Sequence, residues 1–346
     1  MHALFIGGTG IISTAVTKLA LAQGWEITLL NRGLHPELSH PNLHILRGDI
    51  HAEEAIKTLL ADRKFDTVID FIAYTPDEMA RDIRLFSQKT AQYIFISSAS
   101  AYAKPTQFPI VETCALDNPY WDYSQKKAQC EAVLMQEYQS RQFPVTIVRP
   151  SHTYSEKSLP LAIHGAAGPW QTLARMQRHE PVIVPGDGTS LWTITHSDDV
   201  AKGIVGLMGN AAAIGQAYHI TGDEALSWNS IYAIIAKALS VEPILAHVSS
   251  DFLIACDADM RGGLLGDKAN TTVFDNQKIK QAVPSFITRI SAEEGLTRSV
   301  KHLLATPELQ KNDPAFDAWC NRVLAVIAKA KAQFHSTENE KSEIQK

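Results

Sequence analysis

Six short runs of β-branched and aromatic residues alternate with amphipathic stretches through the first half of the chain, at residues 3–6, 26–30, 43–46, 67–71, 93–96 and 145–148. Each run has the length of a buried strand and is bounded by turn residues. The stretches between them, at residues 11–23, 51–61 and 76–88, carry apolar residues at helical spacing, and Asp49 stands where an N-cap for the second is expected. Strands that are apolar on both faces need cover on both faces. The alternation therefore predicts an α/β protein built on a Rossmann-type, doubly wound parallel sheet.

After Pro150 the pattern loosens into glycine- and proline-rich loops around a short strand at residues 182–184. A helix at residues 198–208 and a strand at residues 217–221 are expected to return to the first sheet. This gives a nucleotide-binding domain of residues 1–160 with about 190–222, and a smaller lobe of about 161–189 and 223–334. A last amphipathic helix is expected over residues 314–334, followed by a polar, flexible tail at 335–346.

Composition narrows the partners. Lys plus Arg is 32 against 37 for Asp plus Glu, a net charge of −5, which argues against a general nucleic-acid binder. No run reaches the length of a membrane span, and the N-terminus lacks the charged flank of a signal peptide, so the expectation is a cytoplasmic protein without a membrane partner. Cys114, Cys130, Cys256 and Cys320 are far apart and read as thiols. His35, His40, His44 and His51 straddle a loop, a strand and a helix start with no i, i+4 pair, so no metal site is expected.

Gly7-Gly8-Thr9-Gly10-Ile11-Ile12-Ser13 follows the first strand and opens the first helix. In that context glycines let backbone approach a pyrophosphate, and the helix N-terminus faces its charge. No Gly-Lys-Ser or Gly-Lys-Thr follows, which excludes a P-loop. The second strand ends at Asn31-Arg32, where an NAD site usually places a carboxylate to hold the ribose. An Arg can pair with a 2′-phosphate that a carboxylate would repel, so the expected cofactor is NAD(P), with NADP favoured over NAD.

Tyr123 and Lys127 lie four residues apart in a helical stretch and share a face. A cation near a phenol is expected to lower its pKa and make it a usable acid and base. Upstream, Tyr93-Ile94-Phe95-Ile96-Ser97-Ser98-Ala99-Ser100 is an apolar strand ending in hydroxyls. Together these residues resemble the extended short-chain dehydrogenase/reductase superfamily, in its NAD-dependent epimerase/dehydratase group. Gly48-Asp49-Ile50, the segment from Val68 through Phe71 to Ala73, Val148-Arg149-Pro150, and Gly186-Asp187-Gly188 with His196-Ser197-Asp198-Asp199-Val200 resemble its other stations.

The resemblance implies hydride transfer at a sugar-like hydroxyl or carbonyl by an epimerase, dehydratase or reductase. It makes Ser98, Tyr123 and Lys127 catalytic. It assigns the cofactor to Gly7, Thr9, Gly10, Ile11, Ile12, Asn31, Arg32, Asp49, Ile50, Phe71, Ala73, Tyr123, Lys127 and Pro150, with Ser100, His152, Trp192 and Arg261 toward substrate. It also implies a homodimer through the helices at residues 76–88 and 121–140, with Met79, Ile83, Phe86, Ala132 and Met135 on the shared face. A non-catalytic regulator or RNA-binding member of the superfamily is the alternative, and the intact Ser-Tyr-Lys set argues for the enzyme.

Several departures from that group bear on function. Ser13 replaces the third glycine, and Phe71 and Tyr74 replace smaller or polar residues beside the cofactor. Trp192 stands where nucleotide-sugar members place an Arg on the substrate diphosphate. Of the remaining cations, Arg149 reads as structural and Arg175 and Arg178 as solvated, leaving Arg261 as the best substitute. The expected substrate is therefore a small sugar-like molecule without a nucleotide diphosphate.

Overall fold

The computed structural model describes residues 1–33 and 38–344, with side chains through 334; His35 lies outside the described residues. The first half runs β1 (His2–Ile6), α1 (Ile11–Ala22), β2 (Glu26–Asn31), β3 (Leu43–Arg47), α2 (Glu53–Leu60), β4 (Thr67–Asp70), α3 (Pro76–Phe86), β5 (Tyr93–Ile96), α4 (Asp122–Arg141) and β6 (Val145–Pro150). The chain continues through β7 (His152–Tyr154), α5 (Trp170–Gln177), β8 (Val182–Pro185), β9 (Leu191–Trp192), β10 (Ile194–His196), α6 (Ser197–Leu207) and β11 (Gln216–Ile220). It closes with β12 (Leu226–Ser227), α7 (Trp228–Leu239), β13 (Leu245–Val248), α8 (Ser250–Cys256), α9 (Met260–Gly263), α10 (Gln277–Ala282), α11 (Ala292–Ala305) and α12 (Pro314–Ile344).

Seven strands form one parallel sheet in the order β11-β6-β5-β4-β1-β2-β3. Both faces are covered because alternate residues point to opposite sides. Ala3, Phe5, Ile27, Leu29 and Ile69 pack with α1 and α6 residues such as Val16 and Ile204. Leu4, Ile6, Val68, Tyr93, Phe95 and Ile147 form the other core with α2, α3 and α4. The strand order reverses at β1 and β4, where a doubly wound sheet opens a crevice for ligand.

As the sequence implied, α6 packs on the first sheet and β11 pairs with β6. The short pairs β10-β7, β12-β9 and β13-β8 lie outside that sheet. Tyr154, Trp192 and Ile194, which the sequence reading places with the first domain, pack instead in the second lobe around Trp228, Tyr232 and Leu296. The second helix starts at Glu53 with Ala52 at its N-cap, and Asp49 instead accepts from the His51 N–H at 3.0 Å. Asp49 thus closes the turn ahead of the helix. The backbone of α12 runs to Ile344, past the helix end expected at residue 334; the Glu- and Lys-rich segment that read as a tail has good helix propensity.

Met79, Ile83 and Phe86, expected on a dimer face, are buried within the chain's own core. Their helical spacing marks the core side of α3; the exposed positions include Asp77 and Arg84. Ala132 is exposed and Met135 half-buried on α4.

A buried ion pair ties this helix layer to the sheet. Arg149, at the end of β6, donates from Nε and Nη2 to the Glu131 carboxylate on α4, at 2.6 Å for Nη2–Oε2. Ser97, just past β5, donates to the same carboxylate at 2.5 Å. Glu131→Ala would leave the guanidinium buried and unpaired. Urea denaturation is expected to show a loss of about 3–5 kcal/mol, and a loss below 1 kcal/mol would mean that solvent reaches Arg149.

Candidate active site

The glycine turn is shaped by conformation as much as by space. Gly7 has φ +100°, and a Cβ there would lie 2.4 Å from Ile72 Cγ2. Beside it runs a cavity of about 250 Å³ lined by Gly7, Thr9, Asn31, Arg32, Asp49, Ile50 and Ile72 among others. A second cavity of about 340 Å³ continues along Gly10, Ile11, Ile12, Phe71, Ile96, Ser98, Tyr123, Lys127 and Pro150. Gly7 and Ile72 belong to both, so the two form one trough over the β1–α1 turn. Its glycine floor and helix N-terminus fit a dinucleotide. Ser13 sits buried in the third-glycine position and accepts from the Gly10 N–H at 2.8 Å, so the hydroxyl is absorbed within the turn.

At one end of the trough, Asn31 Oδ1 accepts from the Gly33 N–H at 2.8 Å, shaping the loop after β2. Arg32 is exposed there. Arg47, from the end of β3, also lies beside this loop, its Nε 3.4 Å from where a Cβ on Gly33 would be.

At the other end, α4 presents Tyr123 and Lys127 on one face. Lys127 is buried and donates from Nζ to the carbonyls of Ala73 (2.8 Å) and Ile96 (2.7 Å), with Nζ 4.7 Å from the Phe95 ring centroid. Ala73 does not line the trough; its carbonyl serves by holding the lysine. Burial pulls the Lys127 pKa down to about 8, partly opposed by Asp70. The Tyr123 phenol is hydrogen-bonded to Ser98, yet burial raises its pKa above the ordinary value. The expected lowering by Lys127 is not found. The ammonium is turned toward two carbonyls and lies 5.8 Å from the Tyr123 ring centroid.

Ser98 Oγ lies 2.9 Å from Ser100 Oγ and accepts from the Ser100 N–H at 3.2 Å. Ser124 donates to Ser100 Oγ at 2.8 Å. Ser100, expected toward substrate, orients Ser98 and also lines the small cavity beside it.

A third cavity of about 170 Å³ adjoins these hydroxyls, lined by Ser98, Trp121, Ser151, His152, Trp192, Thr193, Asp267 and Phe274 among others. Trp192 packs against Trp228 with centroids 4.9 Å apart and the rings tilted by 34°, and its Nε1–H has no partner among the described groups. His152 packs edge-on to Trp192, and burial first, then Lys268 and His164, push its pKa down to about 3, so the ring is neutral. Arg261 is not brought here: it is exposed, its guanidinium 5.9 Å from the Tyr120 ring centroid. Arg175, read as solvated, is buried and bound to Asp317 at 2.8 Å, while Arg178 is exposed and paired with Glu180 and Asp317.

Sequence reasoning missed Ile72, Trp121 and Asp267. Gly262 and Gly266 lie so close to Trp121 that a Cβ on either would come within 2.9 Å of it or closer. The glycine-rich segment that drew attention to Arg261 therefore serves close lobe contact, and Asp267 follows directly.

Among the described residues, Glu156, His196 and Asp198 are grouped as a metal could require. His196 Nδ1, however, is already engaged by the Asp198 N–H at 3.3 Å, and Nε2 lies 3.4 Å from a Glu156 oxygen without a hydrogen bond. His40 accepts from the Asn42 N–H, His44 pairs with Glu26, and His51 contacts Arg81.

A doubly wound parallel sheet with a glycine turn at its switch point is the architecture of a dinucleotide-binding domain. The model of the NAD dependent epimerase/dehydratase family matches residues 3–221, and the chain belongs to that family. It is 26% identical over 259 residues to the chloroplast stem-loop binding protein of 41 kDa b of Arabidopsis thaliana, covering 70% of this chain and 65% of that protein. It is 24% identical over 242 residues to 2'-dehydrokanamycin reductase of Streptomyces kanamyceticus, covering 69% of this chain and 67% of that one. The fold is similar to UDP-glucuronic acid 4-epimerase of Bacillus cereus, whose structure holds UDP-glucuronic acid and NAD, at a TM-score of 0.71 and 18% identity over 88% of this chain and 99% of that one. No helix among the described residues is long and apolar enough to cross a membrane.

The Lys127 environment has a stability consequence. Its pKa is about 8 in the fold against 10.5 for the free side chain, so the unfolded state holds the proton more tightly. Below about pH 8 the group opposes folding in full, and that opposition is relieved as pH rises toward 10.5. Lys127→Met is expected to flatten this rise, read as urea midpoints at pH 7, 8.5 and 10 in both proteins. Parallel pH curves would show that the ammonium is solvated.

Proposed function

We propose that this chain is an NAD(P)-dependent epimerase, dehydratase or reductase acting on a hydroxyl or carbonyl of a small sugar-like substrate. The observation that carries the reading is the meeting of Ser98, Tyr123 and Lys127 on the trough that begins at the glycine turn. Nicotinamide dinucleotide, when bound, supplies the hydride acceptor and donor. Gly7, Thr9, Ile11 and Ile12 offer backbone to its pyrophosphate, and Asp49 and Ile50 line the adenine end. Lys127 spends two N–H groups on carbonyls and keeps the third for a ribose hydroxyl. Burial raises the Tyr123 pKa, which holds the proton on the phenol until a substrate carbonyl oxygen accepts it. Ser98 donates to the same oxygen. In the opposite direction the phenolate takes the hydroxyl proton back.

The ribose end supports NADP. Arg32 lines the trough, Arg47 stands next to the same loop, and the strand end carries Asn31 in place of a carboxylate. Trp192 in the place of a diphosphate-binding Arg supports a substrate without a nucleotide. A homodimer through α3 and α4 belongs to the same reading, with exposed positions such as Asp77, Arg84 and Ala132 at the contact in place of the buried Met79, Ile83 and Phe86. The likeness to a stem-loop binding protein supports the alternative, a non-catalytic binder, but the Ser-Tyr-Lys set is complete and the chain is acidic.

Two outcomes test this reading. NADP is expected to raise the melting temperature more than NAD, and Arg32→Ala to erase the difference; equal or greater stabilisation by NAD rejects the role of Arg32. Tyr123→Phe is expected to lower kcat about 10²–10⁴-fold while leaving the NADP Kd nearly unchanged by calorimetry. Loss of NADP binding in that variant would instead make Tyr123 structural.

A further inference from the structure

Asp70 ends β4 with a fully buried carboxylate, directly after the apolar Val68 and Ile69. Burying a charge is costly, so the position asks for work that an apolar side chain cannot do. Ion pairing is not that work: Arg81 Nη2 stands 3.9 Å away, and the same guanidinium is already bound to Asp82 at 2.8 Å. The close contacts fall on Asp70 Oδ1, which accepts from the Ile72 N–H at 2.7 Å and the Ala73 N–H at 2.8 Å. Both donors belong to the loop between β4 and α3. Around them, the Phe71 N–H goes to the Ile6 carbonyl at 3.1 Å, and Glu78 from α3 accepts from the Tyr74 and Thr75 N–H groups at 2.9 Å. Asp70 therefore fixes the middle of the loop. That middle bears on the trough twice: Ile72 lines both of its cavities, and the Ala73 carbonyl takes the Lys127 ammonium.

We propose that Asp70 is a positioning residue for the dinucleotide site: its carboxylate holds the loop whose Ala73 carbonyl seats Lys127. The inference rests on the reading of the trough as a cofactor site. Asp70 itself lines neither cavity and acts through the loop. Of the two carbonyls that seat the ammonium, that of Ile96 ends β5 and is directed by the sheet, whereas that of Ala73 lies outside any strand. A loop carbonyl keeps its direction only while the N–H groups beside it are held. With the loop loose, Lys127 would lose one of its two acceptors, and the N–H left for the ribose would lose its aim. Alanine at position 70 would leave the Ile72 and Ala73 N–H groups without their acceptor, whereas an amide keeps an acceptor oxygen there.

The test compares binding of NADP and of its adenine half, 2′,5′-ADP, by calorimetry to the full chain and two variants. Asp70→Ala is expected to raise the NADP Kd about tenfold and to leave the 2′,5′-ADP Kd within about threefold, because that fragment ends short of Lys127. Asp70→Asn keeps the acceptor and is expected to bring NADP back to within about threefold of the unmodified protein. In the unmodified protein the Ile72 and Ala73 amides are expected to exchange slowly with deuterium although the Ile72 side chain is exposed, which tests the contact even where Asp70→Ala does not fold. Equal weakening of both ligands would show a merely structural role and overturn the proposal. So would an Asp70→Asn as weak as Asp70→Ala, or fast exchange at both amides. If the unmodified protein binds NADP and Asp70→Ala binds it equally well, this inference fails alone; if the unmodified protein binds neither NADP nor NAD, the cofactor reading fails and takes this one with it.

Discussion

The Arg149–Glu131 pair is the contact on which the geometry of the site depends. It joins the end of β6 to the middle of α4, and Ser97 adds the end of β5 to the same carboxylate. Those elements carry Pro150, Tyr123 with Lys127, and Ser98. The guanidinium reaches further, donating to Tyr102 Oη at 3.0 Å and to the Glu112 carbonyl at 2.9 Å, and Tyr102 in turn contacts His219 of β11. A network of this kind is costly if any member is left unpaired, and for that reason it admits one arrangement. Its return is positional: three candidate catalytic side chains from two elements are held against one cavity without depending on ligand.

Lys127 belongs to the same logic. An ammonium buried this deeply would lose its charge without acceptors, and the carbonyls of Ala73 and Ile96 provide them. The Ile96 carbonyl ends β5 and the Ala73 carbonyl belongs to the loop between β4 and α3, so the open edge of the sheet positions the cation. Since that cation is directed at backbone, the Tyr123 phenol remains governed by burial and by Ser98. The protein alone therefore favours the protonated phenol.

The first half of the chain was legible because its signals are local. Six strands with β-branched cores and an early glycine turn determine a parallel sheet whatever else follows, and the observed strands agree to within a residue or two at most ends. Asn31, Arg32, Asp49 and Ile50 likewise fall on the trough because strand ends in such a sheet share one edge. What periodicity could not separate was a core face from an interface face: Met79, Ile83 and Phe86 are spaced identically for either, and they are buried. Charge was equally ambiguous. Arg175 looks solvated in sequence, but its partners Asp317 and Asn321 come from a helix more than a hundred residues away.

The second lobe was the least legible part, and the reason lies in how it meets the first. Gly262 and Gly266 were visible as a glycine-rich segment, yet their purpose depends on Trp121, which lies far off in sequence and tolerates no Cβ against its ring. That close approach seats the segment at the N-terminus of α4, two residues before Tyr123, and brings Asp267 into the cavity beside Ser98. Arg261, on the preceding turn, is correspondingly directed away, toward Tyr120. Where the family resemblance places an Arg, the cavity wall carries Trp192, and its second-lobe side carries the Asp267 carboxylate.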